Sequence, residues 1–571
     1  MEKKPSVAMH PPTEEQLETI RFSENLQSFK ISAYAGAGKT TTLTKISDHL
    51  YNNFGLKGLY IAFNKAIADE AKTKLHESVE CRTFHSLAYR NVGYALTSKV
   101  KYKRQFHKEL VAIYAVEDRI LPTDSNAFDK YIKFNDSRSL KKKNETKKSG
   151  YQNFSAEMQI QAMQDTITAF CRSTDVEIKI HHVRLPKWAS KDDSNEEISD
   201  AKHLIYHYAR NRWNELIDVS NEVAISHDVY LKIWSLSNPK IQADYILFDE
   251  SQDADNVQLE ILSKQDCPII YVGDMHQSIY EWRGAVNAME KLEIPELHLT
   301  QSFRFGCDIA LHANKILGLL GESLPLRGFS KIKSNVFRSA DAIVPDAILC
   351  RTNKGAFNEL IQSIRKNDGR KYSIQTNIEE IISFIENAEK LKNGEKIDHI
   401  ELNNFDTWEV LMEYTELNPQ DQNVSGLVRI INEFKNNDLL IQTLKNCSKI
   451  EDADCVICTA HKSKGLEWDS VKISDDFNLG ILKNEKVIEN LRNAKNIVNQ
   501  NSSLKDVFNE VKKSITEISD AELRLLYVAT TRAKKQLDIS NIIELYDLID
   551  FGLSQIFDEL NESLDLKAGL I

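Results

Sequence analysis

A chain of 571 residues is too long for one hydrophobic core, so several domains are expected. At 42% hydrophobic and 27% charged, with no apolar run long enough to cross a bilayer, it reads as globular and without a membrane partner. A net charge of −11 argues against a passive coat on nucleic acid, and eight scattered cysteines argue against a disulfide scaffold and for a reducing, cytoplasmic setting, on the nucleoid if bacterial.

In chain order, residues 1–16 read as a short loose arm. Ser28–Ile31 then leads as an apolar strand into AYAGAGKTTTLTKI, residues 33–46. Strand, Gly-rich turn, Lys-Thr and helical pattern together make a phosphate-binding loop. Ala35, Gly36, Ala37, Gly38, Lys39, Thr40 and Thr41 form the cradle, with backbone N–H groups and a helix N-terminus facing phosphate oxygens. Lys39 is placed to neutralise the β and γ phosphates, and Thr40 to hold Mg²⁺. The general pattern opens with Gly, whereas this chain has Ala33.

Two basic runs follow, Ser98–Lys108 with Tyr102 and Phe106 among its cations, and Arg138–Lys148. Each fits a phosphate strand or a solvated loop. Tyr245–Phe248 is a buried-strand pattern that ends in two acids: Asp249 for Mg²⁺, and Glu250 to orient and deprotonate an attacking water. Gly273–Ala285, GDMHQSIYEWRGA, sets polar groups fit to sense a phosphate, Asp274 and Gln277, close to Tyr280, Trp282 and Arg283. Aromatics there can stack on any base, worth about 1–3 kcal/mol each. A strand and turn with core aromatics is the competing reading. Arg304 and Arg532 supply the positive charge that phosphoryl transfer needs, each from one side of a hinge. Cys455 and Cys458 form a lone CxxC with no second pair, which is weak as a metal or redox signal.

Taken together these segments resemble the UvrD-like branch of superfamily 1 helicases, superfamily 1A. PPTEEQLETI (11–20) is similar to its Q motif, AYAGAGKT to motif I, YIAFNKAIADEAKTKL (60–75) to Ia and RTFHSLAYR (82–90) to Ib. DESQD matches motif II, GDMHQSIYEWRGA motif III and LTQSFRF motif IV. TAHKSKGLEWDSV (459–471) matches motif V and ELRLLYVATTRA (522–533) motif VI. Within the group, FNKAIADEAK, ILCRTNKGAF and HKSKGLEWDSVKISDDF are most similar to the F-box DNA helicase type, although no F-box counterpart is expected before Gln16.

The resemblance implies an α/β fold: two RecA-like P-loop NTPase lobes, parallel sheets with flanking helices, each with a mainly helical insertion domain. Lobe 1A is expected at 1–90 and 226–330 with insertion 1B at 91–225. Lobe 2A is expected at 331–370 and 451–571 with a short insertion 2B at 371–450. The resemblance implies roles for single residues too. Gln16 and Phe303 hold adenine, Glu467 the ribose, and Gln277 the γ-phosphate. Motif IV here reads Ser302-Phe303-Arg304 in place of Asn-Tyr-Arg. Phe63, Asn64, Thr83, His85, Tyr280, Trp282 and His461 line a single-strand track. The implied activity is an ATP- and Mg²⁺-dependent 3′-to-5′ translocase or helicase on single-stranded DNA and tailed or forked duplex, in repair, recombination control or phage defence. The alternatives are a regulatory ATPase subunit beside a nuclease or recombination factor, and a translocase that strips proteins from DNA with little unwinding. No nuclease domain is expected after motif VI, and residues 478–519 suggest no function.

Overall fold

The computed structural model describes residues 11–557 except 103–104, 106, 123–150, 187–188, 282–283, 341, 400, 403–404, 406, 418–423, 434–436, 478–503 and 516–517. Trp282, Arg283 and the run Arg138–Lys148 therefore lie outside the described residues.

Two six-stranded parallel sheets carry the fold. The first runs, in spatial order, Val79–Thr83, Gly58–Ala62, Tyr245–Phe248, Ile269–Gly273, Phe29–Ala33 and Glu296–Leu299. Three of its four inner strands are buried along their whole length, as in Tyr245–Phe248 and Ile269–Gly273. Continuous apolar runs of this kind suit a parallel sheet covered on both faces. One face packs on Leu43, Ile46 and Leu50 of the helix Lys39–Phe54, and the other on Phe84, Val257 and Ile261. Because the strands are parallel, the segments after residues 33, 248, 273 and 299 emerge at one edge. Ligand sites of open α/β sheets lie at that carboxyl edge.

The second sheet runs Tyr372–Ile374, Cys455–Thr459, Ala347–Cys350, Trp468–Ile473, Ala533–Asp538 and Asn335–Phe337. Tyr372–Ile374 pairs with Cys455–Ile457, so the sheet extends beyond residue 370, into the stretch read from sequence as insertion 2B. The helices Ile378–Lys392 and Asn437–Lys445 then cover Ile348, Cys455 and Ile457. Cys455 and Cys458 belong to different apolar clusters on opposite faces of this sheet, as three-residue spacing on a strand dictates. Burial pushes both thiols up to about 12.

The helix Cys307–Leu319 packs against the second lobe, beside Phe508 and Leu526. A Cβ on Gly318 would stand 2.4 Å from Phe508, which ties the helix Leu504–Ile515 to it. The lobes also share apolar surface, with Tyr34, Ala35 and Ile279 in one cluster with Leu526 and Tyr527.

In the stretch 91–225 the helices Ala156–Cys171 and Glu196–Ile217 pack beside an antiparallel hairpin, Arg119–Pro122 with Tyr151–Phe154. Lys99, read from sequence as part of a basic run, is 1% exposed. Its Nζ donates to the carbonyls of Leu216 at 3.0 Å and Asp218 at 2.6 Å, where the helix Glu196–Ile217 ends. It therefore satisfies orphan carbonyls at the negative end of a helix and is not presented to a phosphate strand. No helix among the described residues is long and apolar enough to cross a membrane.

Candidate active site

The strand Phe29–Ala33 runs into a loop and then the helix Lys39–Phe54. Gly36 and Gly38 take left-handed φ of 74° and 75°. A Cβ on Gly36 would stand 2.5 Å from Ser302 Oγ and 2.6 Å from Arg304 Cβ, so glycine alone lets segment 302–304 lie on the loop. Phe303 N donates to Gly36 O at 2.8 Å across this contact. Gly38 caps the helix without a side-chain bond. The N–H groups of Lys39, Thr40 and Thr41 thus open the helix with no carbonyl of their own to bond, a ready anion site. Two loop N–H groups are engaged elsewhere: Ala35 N donates to Tyr527 Oη at 3.2 Å, and Ala37 N to Tyr34 O at 3.0 Å.

Sheet order sets the strands Phe29–Ala33 and Tyr245–Phe248 one strand apart, so the acids reach the loop. Lys39 Nζ donates to Glu250 Oε1 at 2.6 Å. Burial would weaken its charge, but Glu250 and Asp249 outweigh this and raise Lys39. Burial likewise pushes Glu250 up, yet Lys39 and Lys464 hold it well below the usual carboxylate range. Asp249 is raised, by burial and then by Glu250. Its Oδ2 accepts from Tyr60 Oη at 2.6 Å. Glu250 sits at φ 52°, ψ 39°, a left-handed conformation rare for a non-glycine residue. Such strain costs about 1–3 kcal/mol and gathers at functional sites. Gln252 locks the strained turn: its Nε2 donates to Glu250 Oε2 at 2.5 Å and its Oε1 accepts from Asp274 N at 3.1 Å.

The second lobe closes this cluster. Gln277 Nε2 donates to Asp274 Oδ2 at 2.8 Å, and Gln277 Oε1 accepts from Arg532 Nη2 at 3.3 Å. Arg532 is 1% exposed, and burial, with the nearby Arg304, pulls it down to about 9. The two arginines, 228 positions apart by their numbers (532 − 304), thus meet at one place. Arg304 Nε donates to Glu467 Oε2 at 2.7 Å and its Nη1 to Thr531 O at 3.0 Å. Glu467, expected at the ribose, is here an ion-pair partner across the lobes.

Two further residues belong to the cluster and were not read from the sequence. Lys464 Nζ donates to Asp253 Oδ2 at 2.5 Å and Gln277 O at 2.8 Å, and lies 3.7 Å from Glu250. Tyr527 donates to Asp274 Oδ2 at 3.1 Å as it accepts from Ala35 N. HKSKG offers two lysines with nothing local to choose between them, and Tyr527 reads as one more apolar position of a helix. Beside the loop, Gln16 Nε2 donates to Thr42 Oγ1 at 3.0 Å. A Cβ on Gly38 would meet Gln16 Nε2 at 3.2 Å and the Phe303 ring at 3.6 Å, so both expected adenine residues flank one glycine.

Phe63 and Tyr280 come from different strand ends and stack, centroids 5.6 Å apart and planes 11° apart. Phe63 is 39% exposed. Tyr280 lies 6.4 Å from His461 and carries Lys464 Nζ 5.3 Å above its ring. Asn64 and Thr83 cap helices through their side-chain oxygens, accepting from Ile67 N and Ser86 N. His85 borders an open cavity of about 780 Å³ with Arg82, Tyr89, Arg90, Tyr94 and Tyr230. Tyr94 is 82% exposed there.

Residues 13–293 match the UvrD/REP helicase N-terminal domain. The chain is 28% identical over 558 residues to F-box DNA helicase protein 1 of Schizosaccharomyces pombe, covering 92% of this chain and 56% of that protein. It is 29% identical over 552 residues to F-box DNA helicase 1 of Gallus gallus, covering 91% of this chain and 48% of that one. A probable DNA helicase II homolog of Mycoplasma pneumoniae is 25% identical over 335 residues, 53% of this chain and 42% of that protein. The chain spans about half the length of the curated relatives it matches.

Proposed function

We propose that the chain, similar over residues 13–293 to the UvrD/REP helicase N-terminal domain, is an ATP-driven motor that moves 3′ to 5′ on single-stranded DNA and opens tailed or forked duplex. One observation carries the reading. The segment that brings Gln277 to Arg532 continues within three residues to Tyr280, stacked on Phe63. Nucleotide sensing and base stacking thus share one short piece of chain.

In this reading Gln16 and Phe303 hold the adenine, and the loop 35–41 holds the phosphates with Lys39. Thr40 and Asp249 are the residues that fit Mg²⁺: a first-turn hydroxyl beside the loop, and a buried carboxylate at the end of the next strand but one. When bound, that ion neutralises charge on the phosphates. Lys39 exchanges Glu250 for phosphate oxygens, which frees Glu250 to take the proton of the attacking water. Gln277 senses the γ-phosphate, and Arg304 and Arg532 bring positive charge from both lobes. Each turnover then loosens and remakes the interlobe contacts, which moves His461 of the second lobe against Tyr280, Phe63, Asn64, Thr83 and His85 of the first. The family supports work in repair or recombination, with a nuclease or recombination factor as the class of protein partner.

The test is ATP hydrolysis by the purified protein with and without single-stranded DNA, with Lys39→Ala as blank. Strong stimulation is expected. Hydrolysis indifferent to DNA but answering to a protein partner would replace the motor with a regulatory ATPase.

The exposed ring of Tyr94 and the arginines beside it extend the strand interface past His85 in this reading. Tyr94→Ala is expected to weaken single-strand affinity by about 1–3 kcal/mol. Anisotropy of a labelled oligonucleotide at two salt concentrations checks it, and an unchanged affinity at both removes Tyr94 from the interface.

A further inference from the structure

The helix Asp520–Thr530 belongs to the second lobe, yet its contacts reach both ends of the proposed cycle. Within its own lobe it is fastened by Glu522, which accepts from Arg351 Nε at 2.6 Å. Toward the first lobe it sends two side chains, Arg524 and Tyr527. Their spacing of three places both on one face of the helix. Tyr527 touches the phosphate-loop side, through Asp274 and Ala35 N.

Arg524 touches the other side. One terminal nitrogen donates to Glu281, the other to Glu290 Oε1 at 3.1 Å. Its side chain is 14% exposed although both acids are about half exposed, so the guanidinium enters the lobe boundary and does not lie on the surface. Glu281 directly follows Tyr280, the ring stacked on Phe63. Glu290 lies in the short helix Ala288–Lys291 and also accepts from Asn287 Nδ2 at 2.7 Å. The guanidinium therefore grips the segment that carries Tyr280 downstream of that ring at two points. Separate donor nitrogens on a rigid plane hold the two carboxylates at a fixed distance, which one ammonium nitrogen does less well.

We propose that Arg524 is a positioning residue: it fixes the base-stacking segment to the helix that leads into Arg532, so that nucleotide state and strand grip change together. The proposal rests on the motor reading above. A rigid helix held at Tyr527 and Arg524 carries displacement from one to the other, and parting of the lobes breaks both holds at once. By reciprocity of coupling, whatever the strand does to the hydrolysis site through Arg524, nucleotide does to strand affinity through it.

The experiment compares Arg524→Ala, Arg524→Lys and Glu281→Gln with the natural chain. It reads hydrolysis without DNA, hydrolysis at saturating single-stranded DNA, and single-strand affinity with and without a non-hydrolysable ATP analogue. Basal hydrolysis is expected to stay within about twofold for every variant. The DNA-stimulated increment and the analogue's effect on strand affinity are expected to fall at least about tenfold in Arg524→Ala. Arg524→Lys should fall between, since it keeps charge and loses the fork. Combining Arg524→Ala with Glu281→Gln should cost little more than Arg524→Ala alone, the mark of one shared interaction. Basal and stimulated rates falling in proportion would overturn the proposal, as a general weakening of the site explains them. Full stimulation in Arg524→Ala would overturn it as well. Failure of the motor reading looks different: the natural chain itself would show no stimulation, and the Arg524 proposal would fall with it.

Discussion

Replacing Lys39 with alanine is expected to lower ATP turnover at least about 100-fold while the chain stays folded. Lys39 is the cation that opens the helix after the loop, and no other lysine replaces it there. Lys464 is the next cation to Glu250, at 3.7 Å, but it is fastened to Asp253 and Gln277 O on the second-lobe side. The same lysine keeps the fold safe in the variant. Breaking a buried pair by removing one partner costs about 3–5 kcal/mol when the other charge is abandoned. Glu250 is not abandoned, because Lys464 and Gln252 Nε2 remain. Thermal unfolding beside a turnover assay separates the two effects. Turnover near that of the natural chain would refute the assignment of the phosphate site. Lys39→Arg gives a second check: it keeps the charge but puts a wide planar fork where a compact ammonium fits, so turnover should stay low with stability little changed.

Glu250→Gln should behave differently. Turnover is expected to fall about 10² to 10⁴-fold, the usual contribution of a positioned general base, while ATP affinity holds or rises. The reason lies in the 2.6 Å contact from Lys39 Nζ to Glu250 Oε1. That ion pair competes with phosphate for Lys39. A neutral amide competes less and leaves the turn itself intact, since its oxygen can still accept from Gln252. Equilibrium binding of a fluorescent ATP analogue, measured with single-turnover hydrolysis, reads both quantities. If binding is lost as fully as turnover, Glu250 serves to hold the loop and some other group deprotonates the water. The left-handed backbone at Glu250 adds a second readout. Glu250→Gly should unfold at a higher temperature than Glu250→Ala, because both abandon Lys39 and only glycine takes the left-handed backbone without strain.

The chemistry legible in the sequence was chemistry carried by neighbours in the chain. Gly36, Gly38, Lys39 and Thr40 stand within five positions, and Asp249 with Glu250 ends an apolar run that can only be a covered strand. Spacing of that kind fixes local geometry by itself: a loop, a helix start, a strand tip. Arg304 and Arg532 were readable as cations, and their meeting was an expectation from the charge that phosphoryl transfer needs. What each one touches was not readable. Glu467 shows this, since nothing in its segment announces its ion pair with Arg304. Lys99 shows the converse, since a cation in a basic run proved to cap a helix more than a hundred residues away.

Those outcomes belong to the tertiary structure for a physical reason. Which strands lie side by side is a matter of sheet order, and Phe29–Ala33 meets Ile269–Gly273 across some 240 positions of intervening chain. Which lysine of HKSKG turns toward Glu250, and which face of the helix Asp520–Thr530 meets the first lobe, depend on how two lobes dock. Docking is set by apolar surface summed over many residues, as in the shared cluster of Tyr34, Ile279 and Leu526. The sequence by itself thus determined the parts of the proposed nucleotide site and the likeness to a family of helicases. The tertiary structure alone decided that Lys464, Tyr527 and Arg524 join those parts.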